Sequence, residues 1–581
     1  MTVSVLIVIF PALLLWQLSH LQVMPGEEKG FKFLQSQGAA RTLRSETLSA
    51  YRGVITDRNG ELLAVSTPVT SIYANPGKIK NEDIPAIAKA LGQSNSWLLE
   101  KLARYQGKQF LYLARHLTPH DAKDILNKKY SGIYSETEYR RYYPAGEVAA
   151  HVVGFTNIDD RGQEGVELSF NDWLAGAQGS KRVVKDLKGN VVKDLGLLKA
   201  PKSGSDVQLT IDMKLQYIAY RELKKSIAAQ GAKSGSVVLL DVESGEILAM
   251  VNQPSYNPND RESVKAYQLR NRALTDIFEP GSTMKPFTIM SALESGKFTV
   301  NHQVDTTPGH VRVKGKTFLD PVNYGVMDLT KILKKSSQVG ITKIALELEP
   351  ESVVDVFSRV GLGQDSGIGF PGESVGGLPQ RARWSEVERA TFAFGYGLNV
   401  NALQLAQAYS VIANDGLLTP VSLIRNVKKA STSRVIDEAI NNSVREMLKT
   451  TAEKGGTAVG AQIDAYPVAG KTGTAHKVGR SGYVEDKYVA LFAGFAPAEN
   501  PKIVGVVIVN EPPSENNYSG GKAAAPIFSS VVEQALKSMN VAPIKTGSYL
   551  AGAQNSEANT LVADKSSLST LSAAQKVGVS R

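Results

Sequence analysis

The chain has 581 residues, of which 42% are hydrophobic and 21% are charged, a composition typical of folded proteins with a core. Its length suggests a few domains rather than one, and the absence of cysteine excludes disulfides, cysteine-ligated zinc and thiol nucleophiles. The net charge of +10 is mild for this length, and no block of five lysines or arginines occurs, so a nucleic-acid partner is not expected.

The first segment predicts a membrane anchor. Residues 2–24 contain no charged side chain, and the run is about long enough to cross a bilayer as a helix. No basic segment precedes the run and no small-residue cleavage site follows it, which favours an anchor over a cleaved signal peptide. We therefore predict a single-pass anchor over residues 1–24 and a polar stalk over residues 25–49.

From Arg52 onwards the polar segment gives way to short apolar runs. Two short apolar runs flank Asn59-Gly60, a pair typical of a tight turn between strands, so a β-hairpin is predicted here. Further along, Thr118-Pro119 predicts the start of a helix, with Thr118 as N-cap. We assign residues 50–200 to an N-terminal domain that ends before the Pro/Gly/Ser-rich stretch at residues 201–205.

The second domain is predicted over residues 205–543. Asp212 can cap a helix with one apolar face, and two strands follow at residues 237–240 and 247–250. Late strands are predicted at residues 488–495 and 503–509, before a closing helix that begins at Pro526. The order indicates an α+β fold with an antiparallel sheet and helices on its faces. Residues 544–581 lack periodicity and are expected to be disordered.

Several serine patterns compete for a catalytic role. Gly372 to Gly376 matches a nucleophile-elbow pattern but lacks a preceding strand and a following helix, so it is interpreted as a loop. Ser-x-x-Lys occurs at Ser519, within a glycine-rich loop, and at Ser282. At Ser282 the pattern opens an apolar helix, which brings residues i and i+3 to one face. Lys285 can then reach the Ser282 hydroxyl, and an apolar site can leave its amine neutral to act as a base.

Two further motifs follow Ser282 in order. Ser336-Ser337-Gln338 lies at a predicted helix–loop junction in a helical middle region. Lys471-Thr472-Gly473-Thr474 precedes the late strands, and on an edge strand its lysine and hydroxyls suit a carboxylate, while Gly473 would let a substrate backbone lie alongside. A similar Lys-Thr-Gly-Ser at residues 545–548 lies in the tail and is set aside.

The order Ser-x-x-Lys, Ser-x-Asn-like, Lys-Thr-Gly-Thr resembles the penicillin-interacting serine acyltransferases. The longer pattern resembles class B penicillin-binding proteins, in particular the division-specific FtsI type. The matching stretches include residues 52–60, 141–144, 162–167, 241–250 and 278–283. The resemblance implies an α+β architecture with a membrane helix, an elongated α/β pedestal domain, and a transpeptidase domain that combines the antiparallel sheet with an all-helical subdomain.

The resemblance also implies roles for single residues. Ser282 would be the nucleophile, Lys285 its base and Ser336 the proton relay. Substrate would be bound by Ser337, Gln338, Lys471, Thr472, Gly473 and Thr474, with the backbone N–H groups of Ser282 and Thr474 as oxyanion hole. The reaction would cross-link peptidoglycan stem peptides, and β-lactams would acylate the same serine. No cofactor and no metal is expected.

One residue departs from the family pattern, because the family has asparagine where this chain has Gln338. This leaves three readings: a septal D,D-transpeptidase, an elongation-type relative, and a low-activity paralogue or β-lactam-binding scaffold. The family further implies a polytopic glycan polymerase of the FtsW type and other division proteins as partners. The expected location is the bacterial inner membrane, with the catalytic domain in the periplasm.

Overall fold

The computed structural model describes residues 2–22, 31–185, 191–425, 431–479, 482–513 and 518–544. Its first element is helix α1, Thr2–Gln22, so the predicted N-terminal helix is present. Within the described ranges, however, no helix combines the length and the apolar character needed to cross a membrane. The anchor predicted for residues 1–24 is therefore not confirmed. The tail predicted from residue 544 lies, beyond Ile544 itself, outside the described residues.

The N-terminal half mixes short helices and strands. Its other helices are α2 (Phe31–Thr42), α3 (Ile84–Ala90), α4 (Asn95–Arg104), α5 (Pro119–Leu126), α6 (Ala150–Val153), α7 (Gly165–Ser169) and α8 (Asn171–Ala175). Its strands are β1 (Leu43–Leu48), β2 (Ile55–Thr56), β3 (Leu62–Ala74), β4 (Leu111–Leu117), β5 (Ile133–Tyr142), β6 (Phe155–Thr156), β7 (Gly162–Glu164), β8 (Gly179–Lys185), β9 (Val191–Lys199) and β10 (Val207–Gln208).

These strands form two main sheets. In the larger one the order is β10-β2-β3-β4, with β5 paired to β3. The predicted hairpin is present, since β2 and β3 pair antiparallel around Asn59-Gly60. The smaller sheet has the order β1-β8-β9. Part of the segment predicted as a stalk therefore forms regular structure, the helix α2 and the strand β1, and β1 is held by its pairing with β8.

A buried ionic triad lies at the centre of this half. Arg52 donates through Nε to Glu167 at 2.7 Å, and Arg141 donates through Nε to the other carboxylate oxygen at 2.6 Å. All three side chains are at most 1% exposed. Because a buried carboxylate is stable only when paired, each arginine is needed to hold Glu167, and Glu167 to hold both.

The chain leaves the N-terminal domain as a segment that pairs in parallel with the segment that enters it. Residues 204–211 run beside residues 51–58, with Gly204 N donating to Tyr51 O at 2.8 Å and Val207 N to Val54 O at 2.9 Å. The ladder continues through β10 and β2 and ends where Arg58 N donates to Ile211 O at 2.9 Å. Backbone beyond the predicted boundary at residues 201–205 therefore completes the N-terminal sheet.

The second domain carries the remaining elements. Its helices are α9 (Met213–Gln230), α10 (Ala266–Leu269), α11 (Arg272–Thr275), α12 (Lys285–Glu294), α13 (Leu329–Lys335), α14 (Gln338–Glu347), α15 (Pro350–Arg359), α16 (Glu386–Phe392), α17 (Ala402–Ala413), α18 (Glu438–Ala452), α19 (Gly520–Ala523) and α20 (Ala525–Ser538). Its strands are β11 (Ser234–Asp241), β12 (Ile247–Gln253), β13 (Gln303–Asp305), β14 (His310–Val313), β15 (Lys316–Leu319), β16 (Val326–Asp328), β17 (Leu417–Leu418), β18 (Ser433–Arg434), β19 (Ala469–Gly479), β20 (Gly482–Ala496) and β21 (Ile503–Asn510).

A five-stranded antiparallel sheet of order β12-β11-β21-β20-β19 organises this domain. Side chains alternate between its faces, so Val237 and Leu239 pack in one core with α9 and α20. Val238 and Leu240 belong to the core on the opposite face, which includes α12 and α17. The predicted antiparallel sheet with helices on both faces is thus present, and β19 is its edge strand.

Candidate active site

The predicted nucleophile lies on a tight turn that precedes α12. Gly281–Met284 forms a 3₁₀ turn and α-helix begins only at Lys285, whereas the sequence predicts that the helix opens at Ser282. The turn is held from two sides, because Thr283 Oγ1 donates to Pro280 O at 2.7 Å and Tyr409 OH donates to Thr283 O at 2.8 Å. Ser282 is the one partly exposed residue of the turn, so its hydroxyl is presented to the cleft.

Lys285 begins α12 and is fully buried. Its Nζ donates to Ser336 O at 2.6 Å and to Ser336 Oγ at 3.1 Å. Burial lowers the pKa of Lys285 to about 7, against the opposing effect of the nearby Asp320 carboxylate. A sizeable fraction of this amine is therefore neutral near pH 7, which a proton acceptor requires.

Ser336 lies between two lysines. Lys471 Nζ, from β19, donates to Ser336 Oγ at 3.0 Å and to Thr472 O at 3.2 Å. Burial and the positive charge of Lys285 lower the pKa of Lys471 well below its ordinary value. Ser336 itself has left-handed backbone, with φ +57°, and ends α13 just before α14. The structure thus brings the three predicted motifs together around one hydroxyl.

The edge strand β19 packs directly on the nucleophile turn. A Cβ on Gly473 would lie 2.9 Å from Pro280 O and 3.0 Å from Thr283 Cγ2. Gly473 was predicted to make room for a substrate backbone, but here its missing side chain makes room for the turn that carries Ser282. Any larger residue would push the strand and the turn apart.

The hydroxyls of β19 are held by neighbouring loops. Thr472 Oγ1 donates to Thr457 Oγ1 at 3.2 Å, and Thr474 Oγ1 accepts from Gly520 N at 3.0 Å. These contacts fix both hydroxyls at the wall of the cleft, where a carboxylate can bind them.

The residues above border one cleft of about 690 Å³. Its wall contains Ser282, Ser336, Gln338, Thr472 and Thr474 from the predicted set. Lys285, Ser337, Lys471 and Gly473 lie behind that wall as buried residues. The hydrogen bonds of Lys285 Nζ go to Ser336, and among the described residues none joins it to the Ser282 hydroxyl, which the sequence predicts it to reach. The site can therefore shuttle a proton through Ser336 and bind an anionic group beside the threonines.

The cleft wall also contains residues outside the predicted site set, among them the polar residues Asp320, Lys335, Thr457 and Ser519. The sequence places Ser519 in a glycine-rich loop and predicts no role for it, yet it precedes the short helix α19 and faces the same cleft as Ser282. The second Ser-x-x-Lys was the available signal. Asp320 and Thr457 belong to no motif and reach the site only through the fold.

Gln338 is the first residue of α14, and its backbone N donates to Asp320 Oδ1 at 2.6 Å. Its side chain is partly exposed and lines the cleft. Within the described part of the chain, no hydrogen bond of its side-chain amide is found. The amide is therefore available to a ligand.

Two patterns that the sequence analysis excluded from the active site lie elsewhere in the chain. Ser374, in the nucleophile-elbow pattern, lies in a loop between residues 361 and 384 without helix or strand, as predicted. The Lys-Thr-Gly-Ser at residues 545–548 lies outside the described residues.

Two families match this chain. Residues 235–533 match the "Penicillin binding protein transpeptidase domain", and residues 47–209 match the "Penicillin-binding Protein dimerisation domain". Together they include every cleft residue named above.

Two curated relatives align with nearly the whole chain. Peptidoglycan D,D-transpeptidase FtsI of Escherichia coli K12 is 42% identical over 539 residues, which is 92% of this chain and 90% of the relative. "Probable peptidoglycan D,D-transpeptidase PbpC" of Pseudomonas aeruginosa is 43% identical over 529 residues, 91% of this chain and 93% of the relative.

Solved structures resemble the fold over a similar span. A peptidoglycan synthetase from Bifidobacterium adolescentis superposes with a TM-score of 0.69 at 26% identity, covering 87% of this chain and 98% of that one. Penicillin-binding protein 3 of Mycobacterium tuberculosis, crystallised with aztreonam, gives 0.67 at 27% identity, with 86% and 98% covered.

Proposed function

The chain belongs to the class B penicillin-binding proteins, the peptidoglycan D,D-transpeptidases of the FtsI type, and we propose that it cross-links stem peptides through an acyl-enzyme on Ser282 during septal wall synthesis. The observation that carries this proposal is the convergence of Lys285 and Lys471 on the Ser336 hydroxyl, in the cleft that presents Ser282. Such a hydroxyl, with a buried amine on either side, suits proton transfer in acyl exchange.

Acylation begins on Ser282. Its Oγ attacks the carbonyl carbon of the penultimate D-alanine, and its proton passes to the neutral amine of Lys285. The negative charge that develops on the carbonyl oxygen accepts hydrogen bonds from the N–H groups of Ser282 and Thr474. The pKa of Lys285, lowered to about 7 by burial, supports this assignment.

Ser336 then passes a proton to the leaving group. As the carbon–nitrogen bond breaks, the Ser336 hydroxyl protonates the D-alanine amine and is reprotonated by Lys285 across the 3.1 Å contact. Lys471, Thr472 and Thr474 bind the carboxylate of the terminal D-alanine, which restores the positive charge that burial disfavours on Lys471.

The acyl-enzyme is resolved by an amine. The amine of a neighbouring stem attacks the ester carbonyl, the Ser282 oxygen leaves and regains a proton, and a peptide cross-link remains. A β-lactam enters the same first step, but its amine stays tethered to the acyl group, so the ester on Ser282 persists.

We also propose the setting of the reaction. The uncharged run over residues 2–24 and the family resemblance support a single-pass anchor in the inner membrane, with the catalytic domain in the periplasm. The family resemblance supports a polytopic glycan polymerase of the FtsW type and other division proteins as partners. We propose the same domain limits as the sequence predicts, residues 50–200 for the N-terminal domain and residues 205–543 for the transpeptidase domain.

Labelling of membranes with a fluorescent penicillin tests function and anchor together. A boiling-resistant fluorescent band at the mass of the whole chain, 62.5 kDa, is expected in the membrane pellet, and it should remain there after carbonate extraction. Prior treatment with unlabelled penicillin serves as control and should remove the band. An unlabelled protein would contradict the transpeptidase proposal, and a labelled protein in the supernatant would contradict the anchor alone.

A second candidate function, a low-activity paralogue or β-lactam-binding scaffold, is favoured by Gln338 alone. Glutamine carries its amide one methylene further than the family asparagine, a displacement of about 1–1.5 Å if the backbone is unchanged. Catalytic geometry is sensitive to displacements of that size.

We expect Gln338→Asn to raise the second-order rate of penicillin acylation by about 5- to 150-fold, the effect of about 1–3 kcal/mol in transition-state binding. Stopped-flow labelling of both proteins at one pH measures it, and Gln303→Asn, at an exposed strand, is the matched control. A slower Gln338→Asn protein would mean that the pocket is built around glutamine.

A further inference from the structure

A carboxylate outside the three motifs lies in the wall of the catalytic cleft. Asp320 directly follows β15 in the chain and is 9% exposed. Its side chain borders the same cleft as Ser282, Ser336 and Gln338. Because burying a charge without partners is costly, the contacts of this carboxylate show what it is there to hold.

Among the described residues, the hydrogen-bond donors to this carboxylate lie at the start of α14, in Ser337, Gln338 and Val339. Asp320 Oδ1 accepts from the backbone N of Gln338 at 2.6 Å and of Val339 at 3.3 Å, and Oδ2 accepts from Ser337 Oγ. The first N–H groups of a helix have no partner within the helix, and an anion there also meets the positive end of the helix dipole. Asp320 thus ties the start of α14 to the end of β15, 17 to 19 positions earlier in the chain.

The hydrogen bonds of Asp320 also constrain Ser336, the residue that precedes Ser337. Ser336 has left-handed backbone, a conformation that a non-glycine residue keeps only when its surroundings enforce it. The Ser336 hydroxyl must stay within reach of both lysines, at 3.1 and 3.0 Å. Ser337 and Gln338 are hydrogen-bonded to Asp320, so the backbone that follows Ser336 is held in place. The backbone that precedes Ser336 is held as the end of α13.

Asp320 also supplies the negative charge of a site rich in cations. Lys471 on β19 repels a positive charge on Lys285, and Lys335 on α13 lines the cleft, where its ammonium donates to Gly455 O at 2.8 Å. On the same helix Lys334 pairs with Glu453 at 3.3 Å. Asp320 is the carboxylate whose charge favours the protonated form of Lys285, and it acts likewise on Tyr324, whose pKa is raised by burial and by Asp320.

We propose that Asp320 is a positioning residue of this transpeptidase: its carboxylate holds the Ser336–Gln338 turn against the two lysines and supplies the negative charge that faces Lys285. The proposal rests on the proposed function, and it adds a residue that none of the three motifs contains. Geometry and charge can be separated, because asparagine keeps an oxygen for the two N–H donors and an N–H₂ group for the Ser337 hydroxyl, but has no charge.

The test is the pH profile of penicillin acylation, measured on the full chain in detergent between about pH 5.5 and 9. In the unchanged protein the rate should fall towards acid with a midpoint near pH 7, as Lys285 becomes protonated. Removing the negative charge makes the protonated lysine less stable, so in Asp320→Asn the midpoint should move down by about one pH unit. The matched control is Asp328→Asn, which alters the cap of α13 where Asp328 Oδ1 accepts from Lys331 N at 2.7 Å, outside the cleft.

Asp320→Ala removes geometry and charge together and should slow acylation about 10- to 100-fold at every pH. If this variant fails to fold, Asp320→Asn still decides the question. A midpoint that does not move in Asp320→Asn, or that moves equally in Asp328→Asn, overturns the proposal, and so does a folded Asp320→Ala protein within about twofold of the unchanged rate. An unchanged protein that penicillin does not label would instead overturn the proposed function.

Discussion

Ser282→Ala is expected to abolish covalent penicillin labelling completely, because no other hydroxyl on the 3₁₀ turn can replace the attacking oxygen. Thr283, its neighbour, is fully buried and donates to Pro280 O. Intact-protein mass spectrometry after drug treatment measures the result as the absence of the mass increment of one β-lactam. Enzymes that lose their nucleophilic serine lose about six orders of magnitude in rate, so a residual adduct would be outside this expectation.

Two serines provide controls of different stringency. Ser519 lines the same cleft and starts its own Ser-x-x-Lys, while Ser374 lies in a separate loop. Ser519→Ala and Ser374→Ala are both expected to keep the adduct. An adduct that persists on Ser282→Ala and disappears from Ser519→Ala would move the nucleophile to the other side of the cleft.

Glu167→Ala is expected to destabilise the N-terminal domain by about 3–5 kcal/mol, since it leaves Arg52 and Arg141 buried without their carboxylate. Urea-gradient proteolysis of the N-terminal half measures this change separately from the catalytic domain. The acylation rate at low temperature should stay within about twofold of the unchanged rate, because the triad lies outside the catalytic cleft.

Glu100→Ala in the same domain is the matched control. Glu100 pairs with Arg104 one helical turn away at 3.2 Å, with both side chains more than 70% exposed. Such pairs contribute at most about 0.5 kcal/mol, so this variant should unfold almost as the unchanged protein does. Equal loss in the two variants would mean that the buried triad is no more important than a surface ion pair.

Local signals in the sequence identified much of the fold. Asp212 caps α9 by accepting from Lys214 N at 2.9 Å, and Thr118 caps α5 by accepting from Asp121 N at 3.2 Å, both as predicted. The strands around Asn59-Gly60 also have the predicted pairing. Caps and turns depend on neighbours in the chain, so they can be read from a few residues.

The motifs were found for a related reason, since each is a short pattern that places its own residues. Ser282 lies on the 3₁₀ turn and Lys285 begins the helix directly after it, and Ser336 lies at the predicted helix–loop junction. What the patterns could not supply is the distance between motifs. The contacts of Lys285 and Lys471 with one hydroxyl join residues 51 and 135 positions apart, and depend on packing of the sheet against the helices.

Residues that act only through the tertiary structure were missed. Asp320, Thr457 and the partnership of Arg52 with Glu167 involve single polar side chains without a local pattern. The sequence predicts a close approach of substrate backbone to Gly473 and does not reveal that the turn at Pro280 lies against β19 there. Contacts between residues so far apart in the chain can be identified only from the tertiary structure.

The parallel pairing of residues 51–58 with residues 204–211 has a mechanical consequence. Domains joined by a flexible linker swivel freely, whereas here backbone and side-chain hydrogen bonds fasten the incoming and outgoing segments along their length, including Val54 N to Asp206 Oδ1 at 2.7 Å. A force along the two paired segments strains these hydrogen bonds in shear, so that they bear the load together rather than one after another. The same outgoing segment is bonded to the catalytic domain, where Arg425 N donates to Gln208 O at 2.8 Å and Asp212 N to Leu248 O at 2.9 Å, so tension on the N-terminal domain is passed on with little slack.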